Sequence, residues 1–359
     1  MVKYKAAVIS LGSKSSDMTI SAMQKYFKTV ENINIKHIEV NISGRDAEVL
    51  YKGEPLEEFD CVLAKGSFRF APLLSSLTNL LQEDTTMPID ASAFTVAHDK
   101  LLTHLALQKH NIPMPRTYIV ATAEAAKDVM KKMHFPIIMK FPQGTQGKGV
   151  VFADSYSSGS SILDALTALR QPFILQEFVD TDGEDIRALV VGGKVVAAMK
   201  RKASGTEKRA NMHAGGTAET IILDGVTERI AVKTAKALNA SICGVDILMN
   251  AKGPVVIEAN ISPGLQGITA TTGVDVADHI ARHLFSETEK RLTQDKNAQH
   301  KVVLSEVEEN NTLMTSLDFR GNRILIPEIM TKRCRFNEDE MYEIMGVEGK
   351  LVIKKININ

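Results

Sequence analysis

Apolar runs of strand length alternate with stretches of helical period over residues 1–95. Residues 6–11, 33–40 and 61–64 read as strands, 18–30 and 71–81 as helices, and 49–56 as a small hairpin. That alternation is α/β patterning. A helical period returns over 92–110 and stops at Asn111-Ile112-Pro113, because proline cannot continue a helix. The pattern then runs strand (116–120), helix (122–133), strand (136–141), glycine loop, strand (149–153), helix (160–169) and strand (173–179), a compact small domain. Strands over 186–191 and 194–199 flank Gly192-Gly193, a tight-turn pair. A helix over 226–239, strands over 243–249 and 255–260, and a helix over 276–285 complete a second α+β unit. Residues 287–300 are polar with no strong apolar stripe and read as a linker. The expected organisation is an α/β domain (1–95), a small central domain (96–181), a larger domain (182–286), a linker (287–301) and a small β-rich unit (302–359).

The two strands over 243–249 and 255–260 carry the most chemistry. Side chains alternate along a strand, so Glu258 and Asn260 share a face. A tight turn centred on Lys252 sets Asp246 opposite Glu258. Two carboxylates and an amide suit magnesium, which takes a few protein oxygens and fills the rest of its octahedron with water and phosphate. Any hairpin with one polar face could show the same trio, so its neighbours decide.

Those neighbours point to an anion. The loop Gln143-Gly144-Thr145-Gln146-Gly147-Lys148-Gly149 lets backbone N–H groups approach a phosphate chain closely. It matches neither the P-loop nor a dinucleotide fingerprint, whose strand–loop–helix context is absent. Lys140 ends the strand before it and Lys100 sits on the preceding helix. Gln176, Glu177, Phe178 and Val179 end a strand at a domain junction, where backbone groups could read an adenine edge. A basic run, Lys200-Arg201-Lys202 and then Arg209-Ala210-Asn211-Met212-His213, supplies a charge clamp beside a magnesium–triphosphate site.

Composition limits the partners. Lys plus Arg equals Asp plus Glu at 43 each, so no overall basic excess draws nucleic acid or an acidic membrane. Cys61, Cys243 and Cys334 lie far apart without CxxC spacing, which argues against a disulfide framework or zinc site and for a reducing cytoplasm. No apolar run reaches membrane-spanning length.

The order of these pieces resembles the ATP-grasp fold and, within it, the RimK-type amino-acid ligases, over roughly residues 3–285. Gly144-Thr145-Gln146-Gly147, Gly244-Val245-Asp246-Ile247-Leu248 and Glu258-Ala259-Asn260-Ile261-Ser262-Pro263-Gly264-Leu265 carry the resemblance. It implies that Lys100 and Lys140 hold ATP phosphates under the loop Gly144, Thr145, Gln146 and Gly147. By the same resemblance Glu177 and Phe178 bind adenine, flanked by Gln176 and Val179 of the same strand end, and Asp185, Arg209, Ala210 and Asn211 complete the nucleotide site. Asp246, Glu258 and Asn260 bind magnesium, with two ions implied and manganese an alternative. Family members activate a carboxylate as an acyl phosphate, which an amine, often that of glutamate, then attacks. The implied partners are an amino-acid amine and a carboxylate acceptor, which the family divides among protein tails, coenzymes and small metabolites. Arg201 is the candidate for stabilising charge at the reacting centre. Ala214 stands where close relatives often carry arginine, and Lys65-Gly66-Ser67-Phe68-Arg69 replaces a differently patterned loop; both fall where acceptor specificity could be set.

The tail, with Gly321-Asn322-Arg323-Ile324-Leu325-Ile326-Pro327 at its core, resembles an AbrB-type swapped-hairpin domain over about 312–356. Acidic residues outnumber basic ones from 302 to 359, so the footprint for DNA phosphates is missing and a homodimer or homotetramer is expected instead. The rival readings are an ATP-grasp enzyme of another reaction class and a nucleotide-sensing DNA-binding regulator.

Overall fold

The computed structural model describes residues 4–44, 46–141, 149–168, 172–203, 216–310, 318–320, 323–338 and 340–356, with backbone alone for 295–310 and 329. The chain divides into two units, Met1–Glu289 and Lys290–Asn359.

The first unit opens with β1 (Lys5–Ser10), α1 (Lys14–Met23), β2 (Thr29–Asn34), β3 (Ile38–Ser43), β4 (Asp46–Tyr51), β5 (Glu54–Pro55), β6 (Cys61–Ala64), α2 (Ala71–Leu81), α3 (Ala91–Ala97) and α4 (Lys100–Lys109). Strands β2-β1-β6 form a parallel sheet and β3-β4-β5 an antiparallel one. Next come β7 (Thr117–Ile119), α5 (Ala123–Met130), β8 (Ile137–Lys140), β9 (Val150–Ala153), α6 (Tyr156–Ala168) and β10 (Ile174–Glu177), whose strands pair antiparallel in the order β7-β10-β8-β9. The sheet that carries the charged residues follows: β11 (Glu184–Val191), β12 (Lys194–Lys202), β13 (Thr217–Thr220), α7 (Gly225–Ala237), β14 (Ile242–Asn250) and β15 (Gly253–Asn260), ordered β13-β12-β11-β14-β15. Helices α8 (Gln266–Thr272) and α9 (Val276–Asn310) come after it, α9 extending past the end of the first unit.

The small four-stranded sheet buries its own core around Met130, Ile137, Met139 and Leu175. The N-terminal sheets and the five-stranded sheet instead share one core, running from Val8 and Leu63 through Val190 and Val245 to Ile280.

Four expected elements change, each for a local reason. The strand over 33–40 breaks because the Asn34 side chain accepts from Lys36 N at 3.0 Å and opens a single 3₁₀ turn over Ile35–His37. The helix over 18–30 starts earlier, capped by Ser13, and ends at Met23. The helix over 92–110 is two helices, since Asp99 caps α4 by accepting from Leu101 N at 2.8 Å and Leu102 N at 3.1 Å. The helix expected over 276–285 continues through 287–300, where straight-chain polar residues favour helix without an apolar stripe.

The second unit contains the hairpin β16 (Asp318–Arg320) with β17 (Arg323–Leu325), the short helix α10 (Glu328–Arg333), and the hairpin β18 (Tyr342–Val347) with β19 (Lys350–Lys355). No helix among the described residues is long and apolar enough to cross a membrane. All three cysteines are free.

Candidate functional site

A bulge fixes the register of the central hairpin. The turn at Ala251-Lys252 pairs Asn250 with Gly253 and Ile247 with Val256, a register that would put Ile257 opposite Asp246. Ile257 is instead the extra residue, and Glu258 lies opposite Asp246. Without that residue Glu258 would turn to the other face of the sheet. Asn260 lies two residues on, opposite Gly244, with its Oδ1 pinned by Ser262 N at 2.9 Å. A Cβ on Gly244 would meet Pro263 Cβ at 3.1 Å, so the glycine admits the loop that follows Asn260.

On this same face runs a largely buried network of four charges. Arg187 donates from Nε to Asp246 Oδ1 at 2.7 Å and from Nη2 to Oδ2 at 2.6 Å. Arg201 grips Asp185 in the same way at 2.6 Å for both bonds, and its Nη2 lies 3.1 Å from Asp246 Oδ2. Strand pairing dictates the arrangement: Asp185 is opposite Arg201 on β12, and Arg187 is opposite Asp246 on β14. Each guanidinium thus uses Nε and Nη2 internally and leaves its Nη1 donors without a partner among the described residues.

The charges set one another's ionisation. Burial works to raise the Asp246 carboxyl, but Arg187 and Arg201 outweigh it and hold the group below the usual carboxylate range. Burial pushes Asp185 up to about 6 against the pull of Arg201, since it has one guanidinium where Asp246 has two. Glu258 is raised as well, first by desolvation among the surrounding protein atoms and then by the charge of Asp246, although the residue keeps some exposed surface. Lys100, Arg187 and Lys140 oppose that rise, so the small-domain lysine lies within electrostatic reach of this carboxylate. Burial brings Lys140 itself down to about 8, with Glu258 resisting the fall and Lys100 adding to it. A divalent cation beside Asp246, Glu258 and Asn260 would relieve the opposed carboxylates, and the oxygen donor set fits such an ion.

The other expected contacts divide. Lys100 is the first residue of α4, directly after the Asp99 cap. Gln176 is buried with its amide turned inward, 3.1 Å from His104 Nε2 and donating to Thr117 Oγ1 at 2.9 Å. That side chain organises the core, because a buried amide must find partners, and its backbone lies in a strand paired on both sides. The Glu177 N–H is spent on Arg116 O at 2.9 Å. Phe178 meets Phe152 edge-on at 5.3 Å, and Val179 is half-buried. Gly149 closes the glycine loop, its carbonyl accepting from Phe141 N at 3.0 Å; its φ of +80° and a Cβ that would fall 2.2 Å from Phe141 Cδ2 both require glycine. Gly144, Thr145, Gln146 and Gly147, and likewise Arg209, Ala210 and Asn211, lie outside the described residues.

Arg187 is the site residue to which sequence reasoning gives no role, although Asp185-Ile186-Arg187 is among the segments that carry the family resemblance. Its signal was available, since Asp185 and Arg187 are two apart on one strand and share a face. The role of His104, holding Gln176, had no comparable signal.

Residues 97–284 match the RimK-like ATP-grasp domain family. The chain is 37% identical to a "probable alpha-L-glutamate ligase" of Halorhodospira halophila (strain DSM 244 / SL1), over 77% of this chain and 93% of the relative. It is 35% identical to a protein of the same description in Methanococcoides burtonii (strain DSM 6242 / NBRC 107633 / OCM 468 / ACE-M), over 78% and 95%. Among solved structures, a RimK domain ATP-grasp protein from Sphaerobacter thermophilus DSM 20745 shares the fold at TM-score 0.62 and 18% identity, covering 78% of this chain and 99% of that one. The ATP-grasp ligase PsnB, solved with a phosphomimetic variant of its minimal precursor, Mg and ADP, does so at TM-score 0.63 and 17% identity, covering 79% and 98%. ATP and Mg²⁺ are what ATP-grasp ligases use. With two relatives above a third identical along nearly their whole length and a family match centred on the charged sheet, the chain belongs to the RimK-like ATP-grasp family and is an ATP-grasp ligase.

Proposed function

We propose that the protein joins a carboxylate to the amine of an amino acid, glutamate first among the candidates, through an acyl phosphate with release of ADP. The observation that carries this reading is the Asp246–Glu258 cross-strand pair, backed by Arg187 and Arg201 and within electrostatic reach of Lys100 and Lys140. Cations gathered around a carboxylate pair suit a triphosphate and its metal. The relatives described as glutamate ligases support the choice of amine.

Lys100 and Lys140 bind the phosphates, under the loop of Gly144 to Gly147. The strand end from Gln176 to Val179 borders the adenine, with Phe178 as its apolar wall and the inward Gln176 amide as a brace. Asp246, Glu258 and Asn260 hold magnesium, which when bound neutralises phosphate charge. Asp185 acts through Arg201: it fixes the guanidinium so that Nη1 faces the oxygen on which charge develops, and Arg187 does the same beside it. Arg209, Ala210 and Asn211 add to the phosphate clamp. The C-terminal unit joins copies of the chain into a dimer or tetramer.

Amino acids screened against pooled carboxylates for ADP release, followed by mass measurement of the product, test the reading. ADP that depends on both components, with a product lighter than their sum by one water, is the expected result. ADP formed without any amine would overturn it.

A further inference from the structure

Lys65 is a charged residue that the site described above does not use. It follows β6 at the carboxyl end of a parallel sheet, where β1 and β6 lie side by side and their chains leave in separate directions. In open α/β sheets that crevice is where ligands settle. The backbone of Lys65 is committed, its N–H donating to Ile9 O at 2.9 Å. Its side chain has no ion pair or hydrogen bond among the described residues, and no acidic group offsets its burial, which brings the ammonium down to about 8.

The surroundings tie this lysine to the ligation site. Gly66 N donates to Ser262 Oγ at 3.3 Å, and Ser262 N holds the Asn260 amide. On the other side, Ser15 of α1 accepts from Leu265 N at 3.0 Å and donates to Gln266 Oε1 at 2.9 Å. The N-terminal sheet is thus bonded to the loop that leaves the proposed metal ligands. A water-sized cavity lies there, lined by Lys65, Thr19, Leu63, Ser262, Pro263 and Ile280. Apart from the lysine and two hydroxyls its wall is apolar. Lys65 is half-buried beside that wall, and an ammonium so placed is a cost to the folded protein unless an anion completes it.

We propose that Lys65 is a specificity residue whose ammonium receives a substrate carboxylate other than the one being activated, at the N-terminal edge of the ligation cleft. The claim rests on the ligase reading for its location and deepens it: the co-substrate is anionic at a second position. Either the amino acid or the acceptor can supply that carboxylate, and the kinetics separate the two.

Lys65→Met keeps the reach of the side chain and removes the charge. The expected result is a KM raised about ten- to a hundredfold for one co-substrate, the loss of one charge-assisted bond, with kcat and the KM for ATP little changed. A rise for the amino acid assigns the carboxylate to it, and a rise for the acceptor assigns it there. Lys65→Arg should restore most of the affinity. Unchanged KM values for both co-substrates would overturn the proposal, whatever happens to stability. A binding assay stands apart from catalysis: trace acetylation with acetic anhydride, read at Lys65 by mass spectrometry, in the presence of glutarate, L-glutamate or the neutral glutaramide. Protection by the carboxylates and not by glutaramide supports the site even if the wild-type enzyme ligates nothing in the screen, in which case the ligase reading alone fails. Equal labelling under all three additives overturns the site.

Discussion

Two hairpins of similar length meet opposite fates in this molecule. The β14–β15 hairpin lies in a five-stranded sheet, with Val245, Ile247 and Val256 in the core and Asp246 buried against two arginines. The β18–β19 hairpin is a two-stranded sheet whose central cross-strand pairs are apolar on both faces: Ile344 lies opposite Ile353 on one, Met345 opposite Val352 on the other. Within its unit these residues remain open, with Ile344 65% and Val347 71% exposed. A hairpin can hold charge in a fixed geometry only when neighbouring strands supply counter-charges and a floor. Alone it has too little to bury. The first hairpin therefore suits chemistry, and the second asks for something to cover it.

The sharpest way to break this contrast is to remove the charge that the first hairpin presents to its ligand. Glu258→Ala should lower turnover by about a thousandfold or more, since a lost electrostatic stabiliser at a phosphoryl centre costs on that scale, while circular dichroism shows the fold intact. The residue is exposed, so the fold has little need of its side chain. Asn260→Ala should be milder, because an amide contributes less than a carboxylate. Near-wild-type turnover of Glu258→Ala with excess magnesium would remove the trio from the site.

Arg201→Lys comes next. Lysine keeps the charge but loses the fork that holds Asp185 at two points and Asp246 at a third. We expect kcat to fall roughly ten- to a hundredfold, with the KM for ATP changing less. The variant should also melt earlier, as Asp185 is left buried with a poorer partner. A collapse in ATP affinity with normal turnover at saturation would make Arg201 a nucleotide ligand.

How much of this could be read from the chain depended on range. Glu258 and Asn260 share a face by alternation alone, and Gly192-Gly193 announced its turn, with both φ values positive. The pairing of Asp246 with Glu258 was also expected, but the molecule reaches it by another path: a two-residue turn followed by a bulge, where counting assumed a turn centred on Lys252. Bulges have no sequence mark here, because Ile257 looks like any strand residue. The two-helix break at Asp99 was legible in principle as a cap. The inward turn of Gln176 was not, since its partner His104 is far away in sequence. The polar stretch 287–300 misled for the opposite reason: absence of an apolar stripe was taken for absence of structure, whereas helix propensity needs no stripe.

A smaller effect concerns protons. Burial lowers Lys140 from its free value to about 8, so the folded protein resists its charging. The sign for stability follows: the unfolded chain takes the proton first as pH falls, so the contribution of this group is fully favourable above pH 10.5 and is lost between 10.5 and about 8. With Lys140 on the phosphates as proposed, a bound triphosphate would reverse the preference and draw a proton in. At pH 8.5, nucleotide binding should therefore be accompanied by net proton uptake, measured by calorimetry in buffers of different ionisation enthalpy. Lys140→Arg, charged throughout, should reduce the uptake. Identical uptake in the variant would separate Lys140 from the phosphates.

The smallest effect on chemistry, and the most direct test of the second hairpin, is removal of both C-terminal hairpins. The place of the cut follows from α9. Ending the chain at 286 would sever that helix beside the buried Thr288, whose hydroxyl donates to Leu284 O at 2.7 Å, and would damage the first unit. Ending it after Asn310 keeps α9 whole and removes both C-terminal hairpins. All the residues assigned to the ligation site lie upstream, so ADP release per chain should stay within about twofold of the full protein, as expected when a cut spares the compact unit that holds the site. The assembly state should drop, because Phe319, Ile344, Val347 and Leu351 are too exposed for so small a unit to be stable uncovered, and a second copy offers a self-complementary cover. Light scattering on the two proteins decides it. A full-length monomer, or an oligomer that survives the cut, would show that the apolar hairpin is covered by something other than its own kind.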